Sequence, residues 1–332
     1  MFARLFRPFV ALIVALTVAA CGGGSSPTQP APSVSQSPQT YLEALVGVME
    51  SSSVHRLTID WTDFRARVMA EAVNAQTIPD TFPAIRTALT LLNDGHSAYV
   101  PASGGPAIFV GTRTCAAPAA PPPAVPEDIG YVKVTQFSGT SEGSLAFADA
   151  IQDTIRAADR DGLRGWIVDL RGNGGGNMWP MIAGLGPVVG EGLLGYFVRP
   201  VGGAVPWGYR EGTSWSGSNH ASAQTVTSPY RLRQPDPAVA VLIDGRVASS
   251  GEAATIAFKQ RARTRFFGTP TCGLSTANAS FDLNDGARLV LTVAVMADRT
   301  RKEYGDIVPA DEVVTGAAQT VDRAIEWLKH GS

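Results

Sequence analysis

Cysteine, histidine and charge are all scarce in this sequence. Three cysteines and four histidines are spread over 332 residues without ligand spacing, so no metal is expected. Charged residues make up 17% of the chain, the formal net charge is −2, and no long basic block occurs. Nucleic acid is therefore not an expected partner. The apolar run Phe9 to Ala20 is too short to span a bilayer as a mature helix. What remains is a chain 45% hydrophobic, rich in glycine and proline, large enough for a substantial core.

The N-terminus reads as an export signal. Arg4 and Arg7 precede the apolar run, which ends Val18-Ala19-Ala20-Cys21 and passes into Gly22-Gly23-Gly24-Ser25-Ser26. Small residues before a cysteine resemble the bacterial lipobox, in which the cysteine becomes the lipidated first residue. Residues 1–20 are then a lipoprotein signal peptide and residues 21–38 a flexible tether rich in Gly, Ser, Pro and Gln. The expected location is the bacterial envelope, periplasm-facing and held to a membrane through Cys21. With no Asp after Cys21, the resemblance favours the outer membrane.

From Thr40 the pattern is helical. Tyr41, Leu45, Val48 and Met49 share one face, and Trp61, Phe64, Val68 and Ala72 a second. Thr81 and Pro83 open a third helix with Phe82, Ile85, Leu89 and Leu92 inward. Residues 39–100 thus form a small helical subdomain, ending in Asn93-Asp94-Gly95-His96-Ser97, a turn that displays a histidine. Residues 101–126 are dominated by Pro, Ala and Gly and read as a crossover, not a folded module. Strands and helices alternate over 127–332, which implies an α/β core. Ile129 to Phe137 is a strand. Leu145, Ala148, Ile151 and Ile155 line a helix that closes at Gly162. Residues 199–237 look like loop that could roof a cleft. Asp285-Gly286 turns a hairpin, and Val321, Ala324, Ile325 and Leu328 form a last helix.

Two stretches carry chemistry. Trp166 to Leu170 is a buried strand that runs into Arg171-Gly172-Asn173-Gly174-Gly175-Gly176-Asn177. The loop lacks the Gly-Lys-Ser/Thr ending of a phosphate-binding loop, and Asn177 stands where a dinucleotide fingerprint needs Gly or Ala. No cofactor is expected. A tight structural turn or an oxyanion hole made of bare backbone N–H groups remains. The other stretch runs from the apolar strand Val239–Ile243 through Asp244-Gly245 to Ser249-Ser250-Gly251-Glu252 and a helix. Ser249 and Glu252 have capping-box spacing, and a helix N-terminus also offers free N–H groups to an oxyanion.

Asp169-Leu-Arg-Gly-Asn-Gly-Gly-Gly, Ser249-Ser-Gly-Glu252 and a tail containing Pro309 resemble the tail-specific, or C-terminal processing, serine peptidases. That family also holds the tricorn core protease and the interphotoreceptor retinoid-binding protein modules. The resemblance covers roughly residues 40–315 and implies a Clp protease/crotonase-like α/β core behind the helical lobe, acting on a peptide or protein. It places the nucleophile at Ser249 and the oxyanion donors at Ser250 N–H and one glycine-loop N–H, Gly175. The processing branch's lysine base would fall at Leu274, and no PDZ segment is recognisable. The tricorn-like branch uses an N-terminal His, which Asp94-Gly95-His96 resembles, and a Glu near the C-terminus, here Glu303, with Asp298 and Asp306 as alternatives. His96 as base implies activity falling as imidazole protonates, around pH 6–7. A non-catalytic peptide- or lipophile-binding module, or an esterase, would use the same scaffold. After lipidation of Cys21, Cys115 and Cys272 remain, either as free thiols or as a disulfide pinning the crossover near Ser249.

Overall fold

A computed structural model of the chain describes residues 37–111, 113–117, 123–139 and 141–330. The export signal, Cys21 and nearly all of the tether lie outside these residues. Helix α1 (Pro38–Ser52) starts on Ser37, whose hydroxyl accepts the Thr40 N–H, and α2 (Trp61–Ala70) starts on Asp60 in the same way. Pro83 sits in the first turn of α3 (Phe82–Leu92), where its missing N–H costs nothing. Their apolar faces do not close a core by themselves. Leu42, Leu45, Phe64, Ile85 and Leu89 pack in one cluster with Tyr99, Ile108, Leu289 and Leu291. The helical region is thus a layer on a sheet.

After α3 come β1 (Ala98–Val100) and β2 (Ile108–Phe109). The expected crossover therefore contains a strand: β2 pairs antiparallel with β1, Ala98 opposite Phe109. The core continues through β3 (Gly130–Lys133), α4 (Ser141–Ala158), β4 (Trp166–Asp169), α5 (Met178–Val189), β5 (Gly192–Val198), β6 (Ala204–Arg210), β7 (Thr213–Ser216) and β8 (Ala221–Thr225). Then follow β9 (Val239–Ile243), α6 (Ser250–Phe258), β10 (Thr264–Gly268), β11 (Thr276–Asp282), β12 (Arg288–Asp298), β13 (Glu312–Val313) and α7 (Ala317–His330). In α4, Ala148, Ile151 and Ile155 are buried as expected, whereas Leu145 is 39% exposed, because the inward face passes through its neighbour Ser144.

Two sheets result. One is wholly parallel, ordered β13-β10-β9-β4-β3. Its central strands are covered on both faces, which is why they read as continuous apolar runs. Val239, Val241 and Ile243 face one core with Trp166 and α6, while Ala240 and Leu242 face another with Val321, Ala324 and Leu328 of α7. The second sheet is antiparallel, ordered β2-β1-β12-β5-β6-β7-β8, with β11 also paired to β12. It corrects the loop expected over 199–237, whose first two thirds contain β6, β7 and β8. Glycine and serine here make room between strands rather than break them: a Cβ on Gly208 would lie 2.0 Å from the Gly192 carbonyl oxygen and 2.5 Å from the Trp215 ring. No helix among the described residues is long and apolar enough to cross a membrane.

Candidate active site

Strand β9 ends at Ile243, and Asp244 organises the turn that follows. Its Oδ1 accepts the N–H groups of Gly172 and Arg246, at 3.1 and 3.0 Å, tying the glycine loop to the turn. The chain then reaches Ser249 with φ +53° and ψ −118°, a conformation that L residues rarely hold. Such a backbone costs about 1–3 kcal/mol and persists only where its surroundings over-determine it. Here they do. Ser249 N–H donates to Glu252 Oε2 at 2.9 Å, Ser249 C=O accepts Ala253 N–H at 3.0 Å, and Ala248 N–H donates to Asn173 C=O at 3.0 Å. The strained turn between a buried strand and a helix N-terminus lifts the Ser249 side chain to a half-buried position.

Glu252 does more than cap. It is fully buried, and Oε1 accepts Thr271 Oγ1 at 2.5 Å and Gly273 N–H at 2.9 Å, while Oε2 accepts Ser249 N–H and, at 2.8 Å, Leu274 N–H. Burial pushes its carboxyl up to about 7 against the pull of these four donors. Glu252 thus fastens the Thr271–Thr276 loop to the Ser249 turn. Sequence spacing revealed its capping role but not the loop it holds, because residues 271–274 are distant along the chain.

The glycine loop lies against this turn. A Cβ on Gly175 would stand 2.9 Å from Ser249 Cβ and 3.0 Å from Ser250 N, so only glycine fits. Gly175 is where the resemblance put it, yet its N–H donates to Asn173 Oδ1 at 3.0 Å. The free donors among the described residues are instead the N–H groups of Gly174, Gly176 and Ser250. The Ser250 hydroxyl donates to Gly176 C=O at 2.6 Å, bracing helix against loop. Asn173, unsingled by sequence reasoning, joins everything: its amide donates to Val134 C=O at 3.2 Å. Behind the loop, the buried pair Asp169–Arg171 closes at 2.8 Å with Tyr131 OH on the same carboxylate, and Arg171 Nη1 donates to Ala317 C=O at 2.6 Å.

His96 arrives from the helical layer. Asn93 ends α3 in the left-handed conformation, and Asp94 Oδ1 then accepts the N–H groups of His96 and Ser97 at 2.9 and 2.7 Å. Asn278 Nδ2 donates to His96 C=O at 3.0 Å. The imidazole is 2% exposed, its Nδ1 shares a 2.7 Å hydrogen bond with Thr276 Oγ1, and its Nε2 is buried without a partner among the described residues. Burial pushes it down to about 4, against the opposing charge of Asp94. Thr276 ends the loop that Glu252 holds, so one six-residue segment touches both the Ser249 turn and His96.

The three acidic candidates for a third member sit elsewhere. Glu303 is exposed, bridged through its backbone to Ala297. Asp298 is buried, but its carboxylate accepts Thr300 N–H, Thr300 Oγ1, Lys302 N–H and Tyr304 OH in its own turn. Asp306 pairs with Arg113 at 2.9 Å. The group that meets His96 Nδ1 is the hydroxyl of Thr276, not the carboxylate of Glu303. Cys115 and Cys272 are joined in a disulfide, with Cα atoms 5.1 Å apart. Among the described residues no group of three or more His, Cys, Asp or Glu is placed to hold a metal ion.

A strained serine packed against a glycine cradle suits attack on a carbonyl. Comparisons point the same way. The nisin-resistance protein of Lactococcus lactis subsp. lactis is 25% identical over 296 residues, covering 89% of this chain and 88% of that protein. The carboxyl-terminal-processing protease of Synechocystis sp. is 27% identical over 168 residues, covering 51% of this chain and 33% of the protease. The chain therefore spans a third of that protease's length. Among solved structures, a lipoprotein from Streptococcus agalactiae is 20% identical with TM-score 0.69, covering 92% of this chain and 99% of that one. The photosystem II D1 C-terminal processing protease is 16% identical with TM-score 0.52, covering 84% and 93%. Both likenesses concern the fold. The model of peptidase family S41 matches residues 128–314, and the chain belongs to that family.

Proposed function

We propose that the protein is an exported serine peptidase, lipid-anchored at Cys21 and facing the periplasm, that works through an acyl-enzyme on Ser249. His96 Nε2 takes the Ser249 hydroxyl proton as Oγ attacks the substrate carbonyl carbon. The resulting oxyanion is received by Ser250 N–H and a glycine-loop N–H. The imidazolium returns its proton to the leaving amine, and water then releases the acyl group by the same steps. The observation that carries this reading is the left-handed backbone of Ser249 between β9 and α6, wedged against a glycine that admits no side chain. A fully buried imidazole whose Nε2 has no described partner supports the base assignment.

The peptide class is open to direct test. Mature protein incubated with casein peptides, and with nisin because a relative is named for resistance to it, should generate new peptide termini detectable by mass spectrometry. Cleavage of ester but not peptide substrates would make the protein an esterase. Binding without turnover of either would make it a binding module.

The pH dependence departs from the range an ordinary histidine gives. Neutral imidazole is the active form, and burial holds His96 down at about 4. The rate of fluorophosphonate uptake should therefore stay near its plateau at pH 6 and fall only as pH approaches 4. The same depression has a stability consequence: the unfolded chain binds this proton more readily, so His96's contribution is intact above about pH 6.5 and is lost as pH falls towards 4. A midpoint at 6–7 that disappears in the His96 variants would show that the ring titrates normally.

A further inference from the structure

Cys272 sits in the middle of the segment that serves both catalytic side chains. Its neighbours Thr271 and Gly273 both donate to Glu252, at 2.5 and 2.9 Å. Its own N–H donates to Val247 C=O at 2.8 Å, two residues before Ser249, and its carbonyl accepts Arg113 Nη1 at 3.3 Å. Four residues on, Thr276 holds His96 Nδ1. The loop itself lies between β10 and β11, without regular structure until it enters β11 at Thr276. Its backbone is held by single hydrogen bonds from scattered partners, Thr271 N–H to Val308 C=O at 3.2 Å and Met296 N–H to Ser275 C=O at 3.0 Å, and by no continuous ladder.

What lies across the loop is the stretch 113–117, also without regular structure. It is attached by the Cys115–Cys272 bond, by the Arg113–Asp306 ion pair at 2.9 Å, and by close packing: a Cβ on Gly245 would come within 2.7 Å of Ala116 C=O. The ion pair is largely exposed and so contributes little. The disulfide is the strong tether. It joins residues 157 apart in sequence and therefore restrains the loop from outside its local chain.

We propose that Cys272, through its bond to Cys115, is a positioning residue for the Ser249–His96 site, so that reduction silences the site in a protein that stays folded. The inference rests on the proposed serine peptidase activity. A dithiol reductant would break the S–S bond, deliver two hydrogens to give the Cys115 and Cys272 thiols, and itself close to a disulfide. The segment 271–276 would then hold Glu252 and His96 less firmly. An exported chain would gain activity only on reaching an oxidising compartment, since thiols stay reduced in the cytosol.

The test uses the mature protein with and without dithiothreitol, and the Cys115→Ala/Cys272→Ala variant. Hydrogen exchange at the Gly273 and Leu274 amides should quicken at least tenfold on reduction, with Val241 and Leu242 of β9 unchanged. Fluorophosphonate labelling should slow at least tenfold, recover on reoxidation, and be slow and reductant-insensitive in the double variant. Unchanged exchange at Gly273 and Leu274 overturns the proposal, as does unchanged labelling despite faster exchange. Faster exchange throughout β9 also overturns it, because the bond would then hold the whole fold. Oxidised protein that takes up no probe sinks the peptidase reading instead, and exchange alone then decides whether Cys272 positions the loop.

Discussion

Ser249→Ala is expected to abolish covalent uptake of a fluorophosphonate and to lower kcat by about 10⁶-fold, the loss typical of removing a serine nucleophile. Ser250→Ala is the control that separates neighbours. Its hydroxyl is committed to Gly176 C=O at 2.6 Å, so its removal should cost about 1 kcal/mol of stability and leave labelling intact. The Ser249 backbone adds an independent reading. Ser249→Gly relieves the left-handed strain and should raise the unfolding midpoint while abolishing labelling. Labelling that survives in Ser249→Ala and vanishes in Ser250→Ala would move the nucleophile by one residue. A Ser249→Gly protein no more stable than wild type would mean that the turn stores little strain.

The second large effect belongs to His96. His96→Ala should lose about 10³–10⁴ in kcat, with the residue of activity coming from the oxyanion donors and substrate binding. Thr276→Val keeps the shape but removes the 2.7 Å hydrogen bond to Nδ1. A buried nitrogen left unpaired costs about 1–3 kcal/mol, so kcat should drop roughly tenfold or more with KM little changed. Glu303→Ala should leave kcat within about twofold, since that side chain is exposed and does not meet the imidazole. Leu274→Lys should not restore activity to His96→Ala, because a lysine keeps its proton unless burial strips it and position 274 is only half-buried. Full activity in His96→Ala, or a large loss in Glu303→Ala, would overturn this arrangement.

Much of the core is legible in the sequence alone. The strands at 166–169 and 239–243 announce themselves because parallel strands covered on both faces must be apolar at every position. The Ser249 turn and the glycine loop are legible for a related reason: a strand-to-helix turn and a glycine-rich loop are local backbone structures, and local constraints leave local residue patterns. The helices of the N-terminal layer show in their 3.6-residue stripes, although only packing reveals that Leu289 and Leu291 of β12 complete their core.

Tertiary structure alone decided the rest. Strands β6 to β8 were hidden because small residues that let tryptophans pack resemble loop composition. The hydroxyl on His96 Nδ1 comes from 180 residues away, and any of several tail acids satisfied the pattern equally well in one dimension. Gly175 N–H could not be known to turn onto Asn173, since which amide of a glycine run is free depends on φ and ψ angles that glycine leaves unrestricted. The pairing of Cys115 with Cys272 was likewise a question of distance, which the sequence leaves open and the docking of 113–117 over the 271–276 loop answers.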